Sequence, residues 1–333
     1  MATNSNIYSL QLVYVSHENF ASLLDEYKGR ILGVLVYSAS EPELPQDGFP
    51  CTWVALPVIG DDACYQVWIS ARPVKVMGAA PLCLSSDGNI LFGSMVLPEA
   101  GAGGIESMAC SAYSTIFDAI DKEGYPSLLR VWNYFSRIND ADGGLERYRE
   151  FNVGRHEAFC DKGRAIGEEG VPAACALGTP QGDLVVCFLA GKAPGIAIEN
   201  PRQTNAYRYP SDFGPKSPTF SRGVLVGDLL LISGTASIIG SETAHPENVA
   251  RQLDETLENL RLVIGQAREC GFSVNDPGRL YLNVYLRHAE DYPGVRNRLD
   301  AEFGDAAHVA YLQANICRDD LLLEIEAFWM HCR

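Results

Sequence analysis

The sequence lacks the segments that carry a chain into or across a membrane. No run of about 18 uncharged apolar residues occurs among its 333 residues, so we expect no transmembrane helix. Residues 1–14 have neither the basic stretch nor the long apolar stretch of a secretory signal, so we expect no export. The protein is therefore predicted to be cytoplasmic.

Positive charge is also scarce. The chain has 26 Lys and Arg against 42 Asp and Glu, which gives a formal net charge of -16. Nucleic acids and anionic membranes bind clustered cations, so this balance argues against either as a partner. The ten cysteines include no CxxC pair and no Cys/His group at zinc spacing. We expect reduced thiols and no metal site.

Several common catalytic motifs are missing too. The chain contains no GxSxG, no P-loop and no GxGxxG that opens a helix. Its six histidines are scattered along the sequence, and a single histidine is more often structural than catalytic. Any chemistry therefore has to be sought in other side chains.

The chain does contain a repeat. Two segments read as strand, helix, strand, helix and two closing strands, judged from hydrophobic spacing and turn residues. Asn133 in the first copy and Asn283 in the second take matching places in this alignment. The first copy comprises residues 89–97, 105–122, 129–138, 145–159, 173–177 and 183–190, and the second comprises residues 228–239, 246–270, 279–287, 292–303, 308–317 and 321–329.

The repeat predicts an α+β fold with two tandem domains, each a mixed β-sheet backed by two helices. A length of 333 residues agrees with two domains, at roughly 150 residues each. Four earlier strands are expected to precede the first copy. The predicted boundaries are 1–199 for the N-terminal domain, 200–222 for a linker and 223–333 for the C-terminal domain, and the earlier strands are residues 9–15, 32–37, 52–56 and 66–70.

The linker is basic and aromatic although the chain is acidic. Arginine pairs with carboxylates through its planar guanidinium, and tyrosine can pack on a ring while donating a hydrogen bond. A site for a small anionic ring compound and a solvated loop that balances nearby acids are both consistent with this composition. The residues concerned are Arg202, Tyr207, Arg208, Tyr209, Phe213, Lys216 and Arg222.

The last predicted strand carries two carboxylates in an apolar setting. Glu324 and Glu326 share one face, because strand side chains alternate. They could lie on an exposed sheet face, or burial could raise the pKa of one carboxyl and suit it to proton transfer. Cys187 and Leu189 take the matching places in the first copy, so only the second copy offers carboxylate chemistry.

Longer motifs bear a family resemblance that covers nearly the whole chain. NPRQTNAYRYPSDFGPKSPTFSR, SGTASIIG, YLQANICRDDLLLEIEAFW and FNVGRHEAF together resemble the chorismatase family. The C-terminal copy, with its EIEA strand, is similar to the Rid/YjgF-like domain, which implies two tandem Rid/YjgF-like domains of which the first lacks the catalytic Glu.

The resemblance implies an activity. Chorismatases remove the enolpyruvyl group of chorismate as pyruvate, without a metal or an organic cofactor. One branch of the family hydrolyses chorismate to a dihydroxycyclohexadiene carboxylate. Another aromatises the ring to 3-hydroxybenzoate, and some members also give 4-hydroxybenzoate.

The resemblance also implies site residues. The essential family glutamate falls on Glu324, which would act as general acid and base. The residue types at Cys317 and Gln203 are similar to those of the aromatising branch, whereas the residue type at Ala236 is more similar to that of the hydrolysing branch. We weigh the first two residues more heavily and expect hydroxybenzoate, with the diol as the alternative. Arg318 follows Cys317 directly, and a neighbouring cation is expected to lower the pKa of that thiol and favour the thiolate.

Chorismate has two carboxylates, so the site needs at least two cations. We assign these roles to Arg222 and Arg155, helped by Tyr148, Tyr207 and Arg208. Arg155 belongs to the first copy, so the pocket is expected between the two halves.

Other interpretations stay open at this point. An ordinary Rid-like imine or enamine deaminase is one, although Tyr311 stands where such proteins carry a carboxylate-binding Arg. A non-catalytic binder of small carboxylates is another. The sequence allows a monomer or a homo-oligomer such as a trimer.

Overall fold

The computed structural model describes residues 10–45, 48–61, 63–101, 103–141, 144–273, 280–304 and 307–330. Five helices and eighteen strands lie in these ranges, and no helix among them is long and apolar enough to cross a membrane. The helices are α1 (His17–Glu26), α2 (Ile105–Lys122), α3 (Arg147–Asp161), α4 (Val249–Glu269) and α5 (Tyr292–Phe303).

The strands fall into four sheets. They are β1 (Leu10–Val15), β2 (Ile31–Ser38), β3 (Cys51–Val54), β4 (Ala63–Ser70), β5 (Lys75–Ala79), β6 (Leu82–Ser86), β7 (Ile90–Leu97), β8 (Ser127–Ser136), β9 (Ala173–Thr179), β10 (Leu184–Gly191), β11 (Ile196–Ile198), β12 (Gly223–Val226), β13 (Leu229–Thr235), β14 (Ile238–Ile239), β15 (Glu242–Thr243), β16 (Leu280–Leu286), β17 (Ala307–Gln313) and β18 (Leu323–Met330). Most predicted elements match these bounds closely, and residue 279 of one predicted strand and residue 9 of another lie outside the described ranges.

The two tandem copies are confirmed by their sheets. The first sheet has the order β5-β6-β7-β10-β8-β9 and the second has the order β11-β12-β13-β18-β16-β17. In each, only the last pair of strands is parallel. Apolar residues of α2 and α3 pack on the first sheet, and those of α4 and α5 pack on the second. This is the mixed α+β architecture that the repeat predicts.

The early part of the chain differs from the expectation. Strands β1 to β4 form a separate four-stranded sheet with the order β1-β4-β2-β3, and α1 accompanies it. The strands that lead into the first copy are β5 and β6, which were not predicted from the sequence. Their short length and the Gly-Ala-Ala-Pro turn between them gave little periodic signal. Strands β11 and β12, which lead into the second copy, were also missed, because 3 and 4 residues are too few to show a periodic pattern.

The match between Asn133 and Asn283 is wrong. Asn133 accepts a hydrogen bond from Tyr113 of α2, on the helical side of its sheet. Asn283 bonds Gln66 and Glu326 on the opposite side, where the sheets face each other. The two residues were aligned by side-chain type, although strand side chains alternate between faces with a period of two residues and the alignment placed these two on opposite faces.

The three larger sheets pack around one apolar core. Trp68 of β4, Trp132 of β8 and Phe328 of β18 have ring centroids 5.4 to 5.9 Å apart. The two copies also touch through backbone hydrogen bonds, since Gly178 and Asn315 exchange a pair of 2.7 and 3.0 Å. A cavity lined by residues of both copies lies near these bonds and is the candidate site.

Candidate active site

A cavity of about 240 Å³ lies between the two copies. Strand β9 of the first copy forms one wall, and β13 with β18 of the second copy forms the other. The predicted linker, residues 200–222, crosses the opening in two short 3-10 turns. The lining residues are Glu146, Tyr148, Arg149, Arg155, Ala174, Cys175, Ala176, Tyr209, Phe213, Pro218, Phe220, Arg222, Gly234, Ala236, Ile238, Glu242, Thr243, Cys317, Arg318, Asp319, Asp320, Leu321 and Glu324.

Glu324 is the buried acid of this cavity. Its side chain leaves β18 toward the first copy, and the residue is only 4% exposed. Its Oε1 has no hydrogen-bond partner within the described part of the chain. Burial, and then repulsion from Glu326, raise the pKa of Glu324 to about 8, against the opposing effect of Arg130 and Arg222. The carboxyl is therefore largely protonated at neutral pH and can donate a proton.

Gly234 makes room for this carboxyl. It lies on β13 directly beside Glu324, and a Cβ at that position would stand 1.9 Å from Oε1. The ladder between β13 and β18 shifts register at the same place, between Ile232 and Thr235. A residue without a side chain is needed wherever another group approaches the backbone this closely. The SGTAS segment therefore contributes space for the acid.

Two guanidinium groups reach the cavity from different elements. Arg155 of α3 is 2% exposed and donates to Asn152 Oδ1. Arg222 precedes β12, is 5% exposed, and donates to the Thr204 carbonyl and the Tyr209 hydroxyl. The Nε atoms of both have no partner among the described residues. Buried cations with donors to spare favour an anionic ligand, because an unpaired buried donor is costly.

Aromatic side chains of the predicted linker cover the cavity. Arg318 stacks its guanidinium 4.5 Å from the Phe213 ring centroid and 5.4 Å from that of Tyr209. The same Arg donates to the Ser241 carbonyl at 2.8 Å. The cover and the loop that carries Cys317 are thus held together by one side chain. Arg318 was not predicted as a site residue, although it follows Cys317 directly.

Cys317 lines the cavity as expected, but its electrostatic setting differs from the prediction. A neighbouring cation was expected to favour the thiolate. Instead, burial and then the Glu324 charge raise the pKa of Cys317 to about 12, more than Arg318 lowers it. The thiol is therefore neutral, because desolvation outweighs one nearby cation.

The remaining predicted residues divide into two groups. Tyr148 and Ala236 line the cavity. Gln203, Tyr207 and Arg208 lie outside it. Gln203 donates to the Ile238 carbonyl, Tyr207 accepts a hydrogen bond from Asn205, and Arg208 pairs with Glu168 at the surface. The composition of the linker was informative, but its two turns decide which residues face inward, and those turns have no periodic signal.

Gly234 and Phe220 also line the cavity and were not predicted from the sequence. Both lie inside motifs quoted for the resemblance, so the motifs held the signal without assigning roles. In the described ranges, no group of three His, Cys, Asp or Glu residues is placed to hold a metal ion.

The cavity between the two copies of the α+β domain thus brings together a protonated acid and two buried guanidinium groups. The family described as Chorismatase FkbO/Hyg5-like, N-terminal, matches residues 66–190. A 3-hydroxybenzoate synthase of Streptomyces hygroscopicus is 34% identical over 316 residues, covering 90% of this chain and 92% of that protein. A chorismatase of Streptomyces rapamycinicus is 35% identical over 311 residues, covering 89% and 91%.

A solved structure agrees with these relatives. The crystal structure of a chorismatase matches with a TM-score of 0.86 and 31% sequence identity, covering 97% of this chain and 99% of that chain. The chain belongs to the chorismatase family.

Proposed function

We propose that this protein is an enzyme that removes pyruvate from chorismate, with Glu324 as proton donor. The observation that carries the proposal is the protonated carboxyl of Glu324 in a cavity that also holds Arg155 and Arg222. Chorismate is a small dianion with an enol ether, so it needs cationic clamps and one acid. The similar proteins named chorismatase and 3-hydroxybenzoate synthase point to the same substrate.

The chemistry follows from the state of Glu324. Its proton is transferred to the methylene carbon of the enolpyruvyl group, which leaves an oxocarbenium at the ether carbon. The resulting carboxylate is buried next to that cation and stabilises it. In the aromatising route the bond between the ring and the ether oxygen breaks, pyruvate leaves, and the ring loses one proton to the Glu324 carboxylate, so that hydroxybenzoate and pyruvate together are isomeric with chorismate. In the hydrolytic route one water adds to the oxocarbenium and gives the diol and pyruvate.

The charges suggest an orientation for the substrate. Arg222 is the cavity arginine whose charge acts on Glu324, whereas Arg155 approaches from the first copy. The enolpyruvyl carboxylate is assigned to Arg222, so that the methylene lies beside the acid. The ring carboxylate is assigned to Arg155, with Tyr148 beside it.

The product is assigned as 3-hydroxybenzoate, with 4-hydroxybenzoate as a second product. Cys317 supports this choice because it lines the cavity on the same side as Glu324. The family resemblance implies that the ring's own hydroxyl assists the departure of pyruvate and that a strained intermediate forms. As a neutral thiol, Cys317 would help to open that intermediate as a proton donor. Hydrolysis to the diol is the alternative, which Ala236 favours. No cofactor, a cytoplasmic location, and a monomer or a homo-oligomer such as a trimer complete the proposal.

The test is incubation with chorismate, with pyruvate and the ring products measured in the same reaction. Many equivalents of pyruvate are expected, with one equivalent of hydroxybenzoate per pyruvate, chiefly the 3-isomer. Chorismate held unchanged would identify a binding protein. Ammonia released from 2-aminoacrylate, with chorismate inert, would identify a deaminase and overturn the proposal.

A further inference from the structure

A second carboxylate, Glu326, lies two residues beyond the proposed acid on β18. The two side chains share one face of the strand, about 7 Å apart along it. Glu326 is fully buried and does not line the cavity. It forms an ion pair with Arg130, a residue of β8 that is also fully buried. The mechanism above makes no use of either residue.

Neutral donors complete the environment of Glu326. Asn283 and Tyr285, both on the adjacent strand β16, donate to its Oε1, the latter at 2.9 Å. Asn283 is held in turn by Gln66 of β4 and by Tyr14 of β1. All three large sheets therefore contribute to the setting of one carboxylate.

The charges and hydrogen-bond donors around Glu324 differ from those around Glu326. Two carboxylates this close in a buried site cannot both ionise cheaply. Glu326 has a cation and two hydrogen-bond donors, all of which stabilise its charged form. Glu324 Oε1 has no partner in the described ranges, and repulsion from Glu326 raises the pKa of Glu324. The ion pair and the hydrogen bonds at Glu326, beside the Oε1 of Glu324 that has no partner in that part of the chain, favour the proton on Glu324.

The charged and titratable groups that face Glu324 come from several elements. Glu326 shares its strand, Arg130 comes from β8, Arg222 precedes β12, and the thiols of Cys175 on β9 and Cys317 also face it. Of the charges, that of Glu326 acts most strongly on Glu324, ahead of the two arginines. The burial of Glu324 acts in the same direction as Glu326.

We propose that the Arg130–Glu326 ion pair is a positioning pair that keeps Glu324 as the proton-carrying member of the two carboxyls. The first copy has no acid at its own last strand, yet it supplies the arginine that fixes the charge of Glu326. This inference rests on the proposed function, because its readout is the turnover of chorismate.

The experiment is the pH profile of kcat for the full chain and four variants. A rate that needs protonated Glu324 falls as pH rises through its pKa. Glu326→Gln removes the repelling charge and leaves Arg130, so this alkaline limb should move down by about one pH unit or more, the range expected for one nearby charge. At a pH above both limbs, the rate of Glu326→Gln should be lower than that of the wild type by about tenfold for each pH unit between the two limbs.

The other variants fix the sign. Arg130→Met removes the cation that pairs with Glu326, so the two carboxyls share one proton. The rate below the limb should therefore fall, and the last proton should be lost at higher pH than in the wild type. The double variant Arg130→Met/Glu326→Gln removes both charges and should move it down, but less than Glu326→Gln alone. It leaves no buried charge unpaired, so it carries the test if a single variant does not fold. Glu302→Gln, which removes a carboxylate of a surface ion pair, is the matched control and should leave the limb unchanged.

The inference is supported if the pH of the alkaline limb rises in the order Glu326→Gln, double variant, wild type and Arg130→Met. A purely structural pair would lower the rate equally at every pH and leave the limb in place, and that result overturns it. An absence of chorismate turnover in the wild-type protein sinks the proposed function instead, so the two failures are distinguishable.

Discussion

The last strands of the two copies occupy the same place in their sheets and carry opposite chemistry. Strand β10 reads LVVCFLAG and is apolar and buried throughout. Strand β18 reads LEIEAFWM and is equally buried, yet it holds Glu324 and Glu326. Burial alone therefore does not distinguish a structural strand from a functional one. The difference lies in what the neighbouring elements offer to the buried groups.

The copies divide the work between them. The second copy supplies the carboxyls and the glycine that accommodates them. The first supplies Arg130, which pairs with Glu326, and Arg155, which reaches the cavity. A copy without an acid on its last strand thus still supplies residues to the site, because the sheets meet face to face.

The largest effect is expected from a comparison of glycines on equivalent strands. Gly234→Ala places a Cβ against the Glu324 carboxyl, so the acid must move. We expect kcat to fall about 10²–10⁴-fold, as for loss of general acid catalysis, with the fold retained. Thermal melting and steady-state kinetics on the same sample are the measurements.

The matched control for that variant is Gly93→Ala on β7. There the new Cβ would stand 2.1 Å from the Phe188 ring, in the core under the helices. Overpacking should cost about 1–3 kcal/mol of stability, with kcat of the folded fraction little changed. If Gly234→Ala behaved like Gly93→Ala, the special role of the glycine beside Glu324 would be refuted.

A smaller effect is expected at the clamps. Arg222→Ala and Arg155→Ala each remove a charge-assisted pair, which contributes roughly 1.5–3 kcal/mol to binding. The dissociation constant of a dicarboxylate analogue, measured by titration calorimetry, should therefore rise about 10- to 100-fold. Arg208→Ala, outside the cavity and 62% exposed at its side chain, is the control and should bind normally. Unchanged affinity in both clamp variants would move the anion site elsewhere.

The smallest effect on rate is expected at Cys317. Cys317→Ala removes a neutral thiol from the cavity, so pyruvate release should continue at a rate close to that of the wild type. The ring product should shift toward another hydroxybenzoate isomer or toward the diol. Chromatography of the ring products beside a pyruvate assay gives both numbers in one reaction. An unaltered ratio with full pyruvate release would mean that the residue only fills space.

The sequence predicted the duplicated sheets because their strands and helices have strong periodic patterns. It did not predict the sheet of β1 to β4 as a separate unit, since strand patterns do not reveal which strands pair. For the site, Glu324 was singled out as a carboxylate in an apolar strand and Arg222 as a cation of the aromatic linker, whereas Arg155 was assigned only once the family resemblance had supplied a substrate with two carboxylates. Gly234 was not assigned a role, because the need for glycine there arises from an approach between two strands.

The protonation of Glu324 and the ion pair of Glu326 show the same limit. Both carboxyls look alike in the sequence, as two glutamates on one strand face. Their different states depend on Arg130, which is 196 residues away along the chain. Only the packing of the three sheets brings that arginine to one carboxyl and leaves the other beside the cavity.

The most direct test of the account is the rate of pyruvate release from chorismate by Glu324→Gln. The amide keeps the shape of the side chain and removes its transferable proton. We predict a fall of about 10²–10⁴-fold in turnover, with binding of a dicarboxylate analogue retained. Turnover above about a tenth of the wild-type rate would contradict the assignment of Glu324 as the proton donor.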